Sequence, residues 1–273
     1  MDSLIIITII FYLLSTAGYV AYLFAQKNYF QKTAYCLLVA GFLCHFAIII
    51  SSFIKAGHIP AQNLHETLIL VGWSIACVFI IFQNKFKVKI IGIYIAPLLF
   101  FLMILAAATP DKSMPATGIF KSFWLFSHIA AIFIGEAALA LACGIGILYL
   151  IQERTIKNKK RGFFYRRLPS LDLLDSSGYA CIIAGFSMLT LGLITGIVYA
   201  KYAWGRFWSW DPKEVWSGIT WLIYAALLHE RLTVGWRGKK AAIMAIIGFA
   251  VILFTFFGVN FFLQGHHGDF TRW

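Results

Sequence analysis

The chain has 273 residues, 61% of them hydrophobic and only 12% charged, with a formal net charge of +12 and a mean hydropathy of +0.82. These values exclude an ordinary soluble domain and describe an integral membrane protein. A helix needs roughly 20 mostly apolar residues to cross the hydrocarbon core, and the apolar runs predict eight spans, at 4–24, 34–54, 66–82, 90–108, 123–151, 178–200, 214–230 and 241–263.

The first run has no basic n-region and no A-x-A-like cleavage site before Lys27, so it reads as a retained helix rather than a signal peptide. His45 lies in the middle of span two, where a polar group must be satisfied; a buried hydrogen bond to a neighbouring helix is the favoured reading, ahead of a functional one. The loop at 57–66, GHIPAQNLHE, carries His58, His65 and Glu66, but Pro60 and Asn63 mark a turn and a helix start rather than a metal site. Span five holds His128 near its start and Glu136 within GEAALALACG. The small residues there predict close helix packing, and Glu136 is expected to be protonated or paired with a His or Tyr from another span. The break at 152–177 has room for a short interfacial helix. Asp211-Pro212-Lys213-Glu214 reads as a capping-box start for span seven. In span eight, FFGVNFFLQGHHGDF, Gly265 and Gly268 bracket His266 and His267 at a helix end.

The basic residues sort by loop. Lys27 and Lys32 follow span one; Lys85, Lys87 and Lys89 follow span three; Arg154, Lys157, Lys159, Lys160, Arg161, Arg166 and Arg167 follow span five; Arg231, Arg237, Lys239 and Lys240 follow span seven. All lie on one side of an eight-helix arrangement, which the positive-inside rule makes cytoplasmic. Both termini and the loops at 55–65, 109–122 and 201–216 are then external. The charge records topology, and no nucleic-acid partner is expected. Cys36, Cys44, Cys77, Cys143 and Cys181 all fall inside spans, with no C-x-x-C and no C-x-x-C-H, so they read as small buried hydrophobes.

The most informative segment is Trp204 to Trp216, WGRFWSWDPKEVW, which crowds Trp204, Trp208, Trp210 and Trp216 with Phe207 into one external loop. An aromatic belt scatters Trp over many helix ends; four of nine tryptophans in one loop favour a site for a large flat ligand. His128 and the closing histidines lie at the same membrane level. Two imidazoles on either side of a flat aromatic surface suit a bis-His haem, with Arg206 or Lys201 near a propionate. Spacing alone does not choose between His266 and His267. His229 stands 18 residues beyond Asp211, roughly 27 Å along a helix, so it cannot join that pair. A ligand for a second, deeper haem and a helix-end cap both fit it.

W-G-x-x-W-x-W-D-P-x-E-x-W with ITWLIYAALLH, NLHETL-x-x-x-x-W from Asn63 to Trp73, and V-N-x5-H-H from Val259 to His267 resemble the "WWD" haem-handling proteins of cytochrome c biogenesis. The chain is most similar to the CcsA (ResC) component of system II. The resemblance covers about residues 60–270 of what reads as a single all-α membrane domain, 1–273. It implies that His128 and His267 ligate iron beside the loop formed by Trp204, Arg206, Trp208, Trp210, Asp211 and Trp216, and that His229 ligates haem within the membrane. The mate of His229 is expected on a CcsB (ResB) partner, with His45 as an in-chain alternative.

The function so implied is transport of haem b to the external face and its presentation to an apocytochrome c, as a subunit of a cytochrome c synthase (haem lyase). No catalytic acid–base pair is expected, and thiol-reducing proteins are further candidate partners. The setting implied is the bacterial inner membrane, or the thylakoid membrane in a plastid. Competing readings are the haem-delivery subunit of the other maturation system, a membrane transporter, and a cytochrome b-like electron carrier. The E-x-W-x4-W continuation from Glu214 to Trp221 favours the synthase component.

Overall fold

The structure, a computed structural model, describes residues 2–110, 121–159 and 162–262. Eight long helices account for the predicted spans: α1 Asp2–Ala25, α2 Asn28–Ala56, α3 Leu64–Phe86, α4 Gly92–Ala108, α5 Phe123–Lys157, α6 Leu171–Trp204, α7 Pro212–Thr233 and α8 Lys239–Leu253. A π-helical turn, Phe254–Gly258, and a last short helix, Val259–Phe262, continue α8. Among the described residues, seven helices are long and apolar enough to cross a membrane. The exception is α7, which carries Lys213, Glu214, Glu230 and Arg231 within its 22 residues. The protein is an all-α, multi-pass membrane protein.

The stretch 152–177 forms no separate helix among its described residues. Instead α5 runs on to Lys157 and α6 starts at Leu171. The apolar run ends before the helix does, because helical hydrogen bonding continues and a Lys157–Glu153 pair one turn apart supports the extension.

Described residues fall into two compact units. The first holds α1 to α4 with segment 151–171. With lipid as apolar as leucine, its helices associate through close packing and hydrogen bonds rather than a hydrophobic drive. A Cβ on Gly18 would lie 2.8 Å from that of Ala34, and one on Gly41 2.9 Å from the Tyr12 ring, so α1 and α2 touch nearly backbone to backbone. Ser15 donates to the Ala34 carbonyl at 2.9 Å. Tyr12 and His45 Nδ1 are hydrogen-bonded at 3.1 Å, and His45 is 0% exposed, with Gly72 against the other side of its ring. His45 therefore makes the interhelical bond favoured from its depth, and a ring so enclosed presents no face to a porphyrin. Arg167 ties segment 151–171 to the end of α1, donating to the Leu23 carbonyl at 2.9 Å and stacking on Phe163.

The second unit holds α5 up to residue 150 and the described chain from Asp172 onward. Glycines again set its spacing. Cβ atoms on Gly135 and Gly185 would each meet the other's carbonyl oxygen, at 3.1 and 3.0 Å, so α5 and α6 cross at a Gly–Gly contact beside Glu136. Gly146 approaches the Ala242 carbonyl of α8 in the same way, at 3.0 Å. At the other end of α7 from the tryptophan loop, Arg231 makes a bidentate pair with Asp175 at 2.6 and 3.0 Å and stacks on Tyr179. Asp175 also accepts from Gly238 N at 2.8 Å, which fixes the α7–α8 turn against α6.

Candidate functional site

The tryptophan loop begins where α6 ends. Gly205 leaves the helix with φ +74°, and Lys201 Nζ donates to its carbonyl at 2.8 Å while lying over the Phe207 ring. Ahead of that end, Leu125 and Tyr199 form a small buried cluster with Ile129 and Ala203 packed against it. Trp204 meets Tyr199 edge-on, ring centres 6.1 Å apart. Leu125 and Ile129 flank His128 on α5, so the residues that seat the start of the loop are neighbours of the histidine.

The far side of the loop starts α7 as expected from its sequence. Asp211 accepts from Lys213 N at 2.9 Å, Pro212 fills the first helical position, and Glu214 reaches back to Asp211 N at 3.2 Å. Glu214 also accepts from the Ser209 amide at 2.8 Å and the Ser209 hydroxyl at 3.0 Å. One carboxylate thus clamps the backbone on both sides of Trp210. Trp210 has φ +58°, a left-handed conformation that a bulky L-residue adopts only when its surroundings enforce it. Its ring is 77% exposed and stands edge-on to Trp208, centres 5.9 Å apart. Trp216, one turn into α7, packs at 4.5 Å on Phe254, the first residue of the π turn. Arg206 is exposed on the loop.

His128 is oriented through its Nδ1, which lies 2.7 Å from the Gly192 carbonyl of α6. A carbonyl can only accept, so Nδ1 carries the proton and the neutral ring has its lone pair on Nε2, the form an axial ligand requires. His229 lies at the opposite end of α7, exposed, its carbonyl accepting from Thr233. The structure does not bring it to the loop. His266 and His267 lie outside the described residues. The charge acting on Glu136 is that of Lys213, in the first turn of α7, rather than a histidine or tyrosine. In the first unit, His58 Nδ1 bonds the Ile59 carbonyl at 2.8 Å and His65 Nδ1 that of Ala106 at 2.6 Å. Among the described residues no group of three or more His, Cys, Asp or Glu is arranged to hold a metal ion.

The sequence model of the cytochrome c assembly protein family matches residues 61–267. The chain belongs to the CcsA family of cytochrome c biogenesis proteins. Relatives named cytochrome c biogenesis protein CcsA include that of Pyropia yezoensis, 34% identical and aligned over 80% of each chain, and that of Gloeothece citriformis, 30% identical over 89% of each. The Chlamydomonas reinhardtii CcsA is 36% identical over 78% of this chain, which spans 61% of that relative's length. The fold is also similar to that of the cytochrome c haem lyase CcmF, with a TM-score of 0.68 at 15% identity over 98% of this chain and 48% of CcmF. At that identity the likeness is one of fold. In this CcsA-family chain the tryptophans, Asp211, Pro212 and Glu214 were legible as a motif. Gly192, Gly196, Tyr199 and Phe254, which hold His128 and two of the tryptophans, were not singled out; the G-x-x-x-G spacing of Gly192 and Gly196 was the available signal.

Proposed function

We propose that this protein receives haem b from the cytoplasmic side and presents it at the tryptophan loop, on the external face, to an apocytochrome c. His128 and His267 ligate the iron there; Trp204, Trp208, Trp210 and Trp216 hold the porphyrin, and Arg206 meets a propionate. His229 ligates haem at an earlier, deeper stage, with its mate on a CcsB-type partner subunit. Each apocytochrome thiol adds across a haem vinyl group, sulfur bonding to one carbon and hydrogen to the other, so the step needs no external oxidant. The chain's part is to bind, orient and keep the iron ligated, since the haem and the thiols carry the bond-making.

The observation that carries this reading is the His128 ring, protonated at Nδ1 by its bond to Gly192 and so offering Nε2, on the helix that seats Trp204. The test is the protein co-expressed with its partner and a c-type apocytochrome. Wild type should purify with a bis-His haem spectrum. His128→Ala and His267→Ala should each lose external haem and cytochrome c maturation, with His266→Ala milder. Undiminished maturation in both of the first two variants would overturn the ligand assignment.

A further inference from the structure

Gly196 lies one turn beyond Gly192 on α6, and the His128 ring occupies the space where its side chain would be. A Cβ at Gly196 would fall 2.6 Å from His128 Nδ1 and 2.8 Å from Cε1, closer than carbon atoms tolerate. The ring is therefore bounded twice by the same helix, by the Gly192 carbonyl along its Nδ1–H and by bare backbone across its face. Thr195 closes the arrangement from its own helix, its hydroxyl lying 2.8 Å from the Leu191 carbonyl and 3.1 Å from that of Gly192.

The neighbouring glycines of the same interface do a different job. A Cβ at Gly192 would strike the Ile132 side chain at 2.5 Å, and one at Gly185 the Leu139 side chain at 2.6 Å. Those glycines set how closely α5 and α6 pack. Gly196 alone among them makes its contact with the ring of a histidine.

We infer that Gly196 is a positioning residue for His128: with the Gly192 carbonyl it fixes the ring so that Nε2 is the nitrogen directed at haem iron. The inference rests on the proposed role of His128 as an axial ligand. Metal-ligating histidines are aligned in this way by a backbone acceptor on the second nitrogen, and disturbing that outer contact lowers metal affinity by roughly 10–100-fold. Gly196→Ala adds one methyl group inside the ring's volume and removes no hydrogen-bonding group, so its effect is one of geometry.

The experiment uses the full chain with its partner subunit, purified with haem. Gly196→Ala should lose the low-spin bis-His spectrum of the external haem, and free imidazole should restore it by replacing the displaced ring. Gly185→Ala, which injures the same interface without touching His128, should keep the spectrum even if it lowers the melting temperature. In haem-free protein, Gly196→Ala should lower the melting temperature in wild type but have little further effect in His128→Ala, because the atom it strikes is gone. An unchanged spectrum in Gly196→Ala, where His128→Ala loses its haem, overturns the positioning role and leaves the ligand reading intact. So does equal damage from Gly185→Ala with no recovery in imidazole. A His128→Ala variant that keeps its haem overturns the ligand reading itself, and this inference with it.

Discussion

Glu214 holds Trp210 in an unfavourable conformation, and removing its carboxylate should release it. The left-handed conformation of a bulky L-residue costs about 1–2 kcal/mol. Against this, Glu214 accepts from Ser209 N, Ser209 Oγ and Asp211 N, at 2.8, 3.0 and 3.2 Å. At about 1 kcal/mol net per bond, the clamp supplies about 3 kcal/mol and outweighs the strain by about 1–2. Glu214→Ala deletes the clamp and keeps the strain, so the ratio of closed to open loop should fall roughly a hundredfold. Hydrogen exchange at the Ser209 and Asp211 amides reads this directly and needs no haem. Both should lose protection in Glu214→Ala, while amides in α5 and α6 keep theirs. Adding Trp210→Gly should restore part of the protection, because glycine adopts the turn without strain. Unchanged exchange at Ser209 and Asp211 in Glu214→Ala would refute the clamp.

Asp175→Asn should lower the melting temperature of the detergent-solubilised protein, since it strips Arg231 of a bidentate partner whose two side chains are only 17% and 8% exposed; a loss of about 3 kcal/mol is expected for breaking such a pair. Raised salt should not reproduce the effect, as it would for a surface pair. Lys213→Met should also destabilise the protein, by about 1–2 kcal/mol after allowance for partial exposure, because it leaves Glu136 without its opposing charge. Glu136→Gln in the same chain should recover most of that loss, and a double variant no more stable than Lys213→Met would show the two charges to be uncoupled.

Sequence alone exposed the helices because a membrane enforces one simple rule on them, a long apolar run. It exposed the α7 cap because Asp-Pro-x-Glu is a local device whose partners lie within a single turn. What it did not expose depends on which helix faces touch. Nothing local to His128 says that its ring meets a carbonyl 64 residues away. Glu136 was expected to find a His or Tyr and instead faces Lys213, brought close by packing of α5 with the start of α7. The stretch 152–177 was expected to hold its own helix because apolarity ends there, whereas α5 ends only at Lys157. Charged residues on an extended helix end carry no hydropathy signal.

The π turn at Phe254–Gly258 gives chain length a meaning that residue identity does not have. A π turn is an α turn with one residue more. Deleting any single residue within 254–258 would let the segment close as an uninterrupted α-helix, and everything beyond would be turned by about 100° around the axis. Trp216 rests on the first residue of that turn, so one end of the segment is anchored while the other is free to rotate. The direction taken by the chain after Gly258 is thus set by a count of residues. A substitution there changes a contact, whereas a one-residue insertion or deletion re-aims the entire C-terminal end.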